Sequence, residues 1–155
     1  MRWATLVLLT LVACNDLRAF RGQWSGARIG PDSVLRVGAG SSATLSIDEI
    51  DTHHLTARLA VDGLLPETTI TSLPGAEADV LAGITFSGAP LRVYLAFVPV
   101  PDGGGEALVV VALYDDQRVE VRLLRGSASL YSIFALAEMG PAPPQEGAAS
   151  RGAAP

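Results

Sequence analysis

From Phe20 onward the chain is built of short runs that alternate apolar and polar residues, the period of a strand with one buried face. Leu55, Leu59 and Val61 fall on one side of such a run, and Thr56, Arg58 and Ala60 on the other. Val119, Val121 and Leu123 oppose Arg118, Glu120 and Arg122 in the same way. The spacing predicts strands over 20–29, 34–37, 44–50, 54–62, 68–73, 80–87, 91–98, 107–114, 118–124 and 130–136. Turn chemistry separates them, from Gly38 to Ser42, at Asp62-Gly63, at Pro74-Gly75, from Pro101 to Gly105 and at Asp115-Asp116. Parallel neighbours need crossovers of about a dozen residues or more, and these links are shorter. The fold class is therefore an all-β antiparallel meander, closed as a barrel or stacked as a sandwich.

A hydrophobic content of 49% with 17% charged residues supplies a core for one domain, placed at 20–139. The run from Ala107 to Tyr114 is apolar on both faces, so its outer side has to be covered by the chain itself or by a partner. Residues 130–139 can supply that cover, as a closing strand or as a helix capped by Ser127 or Ser129. From Gly140 the Pro/Ala/Gly-rich tail, 140–155, holds nothing to build a core and is expected to be disordered.

The first residues read differently. Arg2 precedes an eleven-residue apolar run, Trp3 to Ala13, within the roughly 7 to 15 residues of an export signal core. That run is well short of the ~20 residues that span a bilayer. It ends in Leu11-Val12-Ala13-Cys14, which resembles the lipobox of bacterial lipoproteins. The resemblance implies that residues 1–13 are a cleaved leader and that Cys14 is lipidated. It further implies that 14–19 form a short tether to the membrane, and that Asn15, standing where an aspartate would retain the protein in the inner membrane, favours the outer one. Cys14 is the single cysteine, so no internal disulfide competes for it. Two or more acyl chains hold a protein stably to a bilayer where one holds it only marginally.

The first strand opens with Gly22-Gln23-Trp24-Ser25-Gly26. This G-x-W-x-G pattern resembles the start of the calycin barrels, the lipocalins and avidins among them. The resemblance implies an eight-stranded antiparallel barrel, with an antiparallel β-sandwich as the alternative. It also implies that Trp24 closes the barrel base and that an arginine near the end of the chain, Arg122 or Arg125, stacks on it. Trp24 is then a structural plug, and its presence does not specify a ligand.

Composition excludes several functions. The mature chain carries ten arginines against sixteen acidic residues, a net charge of −6, with no basic cluster to follow a phosphate backbone, so no nucleic-acid partner is expected. No lysine is present, which removes Schiff-base and P-loop chemistry. No serine sits in a nucleophile elbow, and the Gly103 to Gly105 triplet leads into a strand rather than a helix. The stretch from Asp48 to His54 is rich in possible ligands, but adjacent His53 and His54 on a strand point to opposite faces, so it reads as a solvated turn. No cofactor, metal or catalytic residue is expected. The expected partners are the membrane through the anchor, and a small apolar ligand or an envelope protein.

Overall fold

The computed structural model describes residues 16–29, 37, 38, 40–74, 84–101, 105–125 and 130–139, with backbone alone at 125, 130 and 131. Eight strands follow a short 3-10 helix, Leu17–Phe20. They are β1 (Gly22–Ala27), β2 (Ser42–Ile50), β3 (Leu55–Val61), β4 (Leu65–Thr71), β5 (Arg92–Val100), β6 (Gly105–Leu113), β7 (Val119–Arg125) and β8 (Leu130–Glu138). The spatial order is β4-β3-β2-β1-β8-β7-β6-β5, every pairing antiparallel. Within each half, β1 to β4 and β5 to β8, every strand thus pairs with its neighbour in sequence, and β1 meets β8 to join the two halves. This is the expected eight-stranded meander, and the β1–β8 pairing excludes a sandwich of two separate sheets.

Closure is nearly complete. β4 and β5, the ends of the ladder, form no strand pairing with each other, and the Leu73 N–H donates to the Leu95 carbonyl across the seam at 2.7 Å. Backbone groups alternate in direction along a strand, so Leu95, Phe97 and Pro99 present theirs to the seam, and Pro99 has no N–H to offer. Pro66 stands in the opposite edge, β4.

The two ends of the barrel differ. The base carries the 3-10 helix, the β2–β3 turn at 51–54 and the β6–β7 turn at 114–118. The rim carries the β1–β2, β3–β4, β5–β6 and β7–β8 connections. The alternating pattern works as the period of two requires: Leu55, Ala57, Leu59 and Val61 are buried in one core with Val119, Val121 and Leu123. A register shift between Ile47 and Glu49 keeps both Ile47 and Ile50 inside.

Three expectations are corrected. Phe20 ends the 3-10 helix instead of opening a strand, because Asp16 accepts the Arg18 N–H and starts a helical turn. Residues 84–87, the described part of the strand expected at 80–87, are not a strand. Ile84 and Phe86 instead lie on the outer face of β5, β6 and β7 against Leu95, Val110 and Leu124, and so provide the cover that β6 needs. Residues 130–139 are the closing strand and not that cover. The strand expected at 34–37 and the regions 1–15 and 140–155 lie outside the described residues, apart from Val37, which is buried.

Gly22 and Gly26 have separate backbone reasons. Gly22 has a φ of +132°, where the chain turns from the helix into β1. At Gly26 β1 runs so close to β8 that a Cβ would stand 1.7 Å from the Ala135 carbonyl oxygen. Backbone cannot yield as a side-chain tip can. Gly26→Ala should therefore cost about 3 kcal/mol or more, read as a lower urea midpoint with an unchanged slope.

Candidate functional site

The base is stoppered from inside. Trp24, 1% exposed, donates its indole N–H to the Phe20 carbonyl at 2.9 Å, and the two rings stack with centroids 5.8 Å apart. The hydrogen bond satisfies the one polar atom of a buried indole. Across the barrel the Tyr94 hydroxyl donates to the Asp51 carbonyl, which holds the 51–54 turn over the mouth. Asp51 shapes that turn by accepting the backbone N–H groups of His53 and His54 at 2.7 and 2.8 Å. Those two bonds hold its carboxyl below the usual carboxylate range. The histidine-rich stretch is thus a capped turn. His54 Nε2 lies 2.9 Å from the Thr56 hydroxyl, and among the described residues no three His, Cys, Asp or Glu side chains gather as metal ligands.

Phe20, Trp24, Tyr94, Leu113 and Leu136 fill the lower half, whereas Ala43, Val61, Val98 and Ala107 line the upper. These residues are all almost wholly inaccessible, so side chains rather than solvent occupy the interior they line. Ser132, on β8 opposite Leu123, is fully buried, and its hydroxyl has no hydrogen-bond partner among the described residues. Such a group costs about 1–3 kcal/mol. Nothing in the alternation marked this serine, because an inward serine reads as a tolerable small residue.

One opening is at the rim. A solvent-open cleft of about 500 Å³ is lined by Ala60, Val61, Asp62, Gly63, Leu64, Leu65, Pro66 and Pro101. It sits between the β3–β4 turn and the end of β5, where the two unpaired edges part. Val61 and Leu65 also belong to the core, so the floor of the cleft is the barrel interior itself. A second groove, of about 190 Å³, lies outside β1 to β4 beside Gln23, Ser46, Arg58 and Glu67. There Asp48 at 3.3 Å and Glu67 at 3.6 Å already neutralise Arg58.

Arg122 lies elsewhere than the resemblance implies. It has the parity of Glu120, opposite to Val121 and Leu123, so it projects from the outer face of β7 and stacks on Phe86 at 4.9 Å. Phe20 takes the place against Trp24. The side chain of Arg125 and all of Cys14 lie outside the described residues. The outer cluster is nonetheless ordered chemistry. Glu120 accepts from Arg122 Nε, from the Ser87 hydroxyl at 2.6 Å and from the Tyr114 hydroxyl at 3.3 Å. Arg118 donates to Ser87 at 2.7 Å and stacks on the Tyr114 ring at 4.0 Å. Burial, ahead of the nearby Glu120 charge, pushes the Tyr114 phenol up. Glu120 and Arg122 are both nearly wholly buried, and each compensates the other.

No protein-family model, no curated protein and no solved structure matches this chain.

Two outcomes follow from these clusters. Arg122→Met strands a buried carboxylate and should cost about 3–5 kcal/mol, whereas pairing it with Glu120→Leu should recover most of that loss; urea unfolding of both variants checks it. Folding lowers the Asp51 pKa, so its contribution is present above the unfolded value of 3.8 and lost as pH falls through the folded one. The stability gap between wild type and Asp51→Asn should accordingly hold steady near neutral pH and shrink in acid.

Proposed function

We propose that this chain is a bacterial envelope lipoprotein, held at the outer membrane by acyl chains on Cys14, whose barrel is a non-catalytic module that binds a small apolar ligand or a protein segment at its rim. The lipobox resemblance at Leu11 to Cys14 supports the anchor. The observation that carries the binding role is the rim cleft, where six of the eight lining residues are Ala, Val, Leu or Pro and Asp62 adds a single carboxylate. The filled interior supports this opening over the barrel axis as the place for a ligand. Docking of an accessory subunit through the Ala107 to Tyr114 region has less support, since Ile84 and Phe86 already cover the outer face there.

Protein purified from its host membranes should have the mass of a chain that starts at Cys14 and carries acyl groups. Native mass spectrometry should show a bound molecule or partner that Leu64→Glu, which puts a charge in the cleft, removes. An unmodified chain with its leader attached would sink the anchor. An adduct indifferent to Leu64→Glu would sink the rim site.

A further inference from the structure

We infer that the base of the barrel lies against the lipid surface and the rim cleft faces away from it, so that whatever binds the cleft arrives from the aqueous side and not laterally out of the bilayer. This rests on the proposed anchor at Cys14. The geometry comes from the 3-10 helix packed on the base: Asp16, which caps it, stands two residues after Cys14. Two residues span at most about 7 Å, so the anchor cannot reach round to the rim. The strands other than the six-residue β1 have seven to nine residues and put the rim about 15 Å or more beyond the base.

Charge sets which side of the base comes nearest. Arg18 and Arg21 are exposed beside the anchor and form no ion pair among the described residues, as suits an anionic headgroup layer. Asp115 and Asp116, also exposed, occupy the β6–β7 turn across the base; Arg118 pairs with Asp116 at 3.4 Å, and headgroups of the same sign as Asp115 hold that turn off. The plug of Phe20, Trp24 and Tyr94 closes the lipid-facing end to an acyl chain.

The test uses the full acylated protein in vesicles of phosphatidylethanolamine and phosphatidylglycerol that contain a nitroxide-labelled lipid, with wild type as the blank for Trp24. Ala19→Trp reports from the helix at the base and Glu106→Trp from the rim; both positions are exposed, so neither tryptophan enters the core. The added fluorescence at position 19 should fall several-fold, and that at position 106 should be unchanged. A long Gly/Ser spacer inserted after Asn15 should relieve the quenching at position 19. Quenching at position 106, or at neither position in protein whose mass shows an acylated Cys14, overturns the orientation and leaves the anchor standing. A mass without acyl groups overturns both.

Discussion

The contact on which the rest of this structure depends is the narrow pairing of β1 with β8. Each four-stranded half could form by local hairpins, but only this pairing turns two curved sheets into one wall around a common core. It is a slender join: Trp24 faces Glu138 and Ser25 faces Ala137, with an isolated bridge from Arg28 to Phe134 and hydrogen bonds from Ile29 to Ile133 and from Met139 to Gln23. Gly26 lets the backbones approach, and Trp24 is planted at the same place with its ring turned inward. Closure and plugging are thus set by neighbouring residues of one short strand. The pairing is also the most non-local in the chain, which makes it the step that loop-closure entropy opposes most.

A second constraint acts on the outside. Central strands of a barrel need only one apolar face, yet β6 and β7 carry Leu108, Val110 and Leu124 outward, together with a buried ion pair. Taking Glu120 and Arg122 out of water costs free energy that their mutual attraction only partly offsets, so the pair is weak evidence for added stability. Its effect is positional. Ser87 can satisfy Glu120, and Phe86 can lie over Arg122, only if the segment before β5 crosses the sheet along one particular line. Apolar contacts from Ile84 and Phe86 supply the adhesion, and the polar atoms set the register.

How much of this was legible depended on whether the information was local. The strands with clean alternation, β3 and β7, stand close to where the pattern puts them, and Asp62-Gly63 and Asp115-Asp116 fall between strands as expected, whereas Ser42 and Gly105 already belong to β2 and β6. The G-x-W-x-G resemblance points to a barrel with its tryptophan at the base but leaves the sandwich open, and the β1–β8 pairing decides between them. What was hidden required knowing a distant neighbour. Ile84-Thr85-Phe86 alternates like a strand but finds no strand partner among the described residues, and its apolar side chains serve as a cover instead. The resemblance offers Arg122 or Arg125 as the partner of Trp24, although the alternation that makes Val121 and Leu123 core already turns Arg122 outward. The rim cleft left no mark at all, because it arises where two strands distant in sequence fail to pair.

That failure to pair has a consequence for how copies of the protein meet. A strand edge with free N–H and C=O groups is a template on which another chain can continue the ladder. Here the template is defective: Pro99 removes a donor on the seam side of β5, Pro66 interrupts β4, and the two edges shield each other where Leu73 reaches Leu95. The gap can remain open to a ligand without becoming a growth point for fibrils, which lets a barrel stay unsealed and still be safe at high local density.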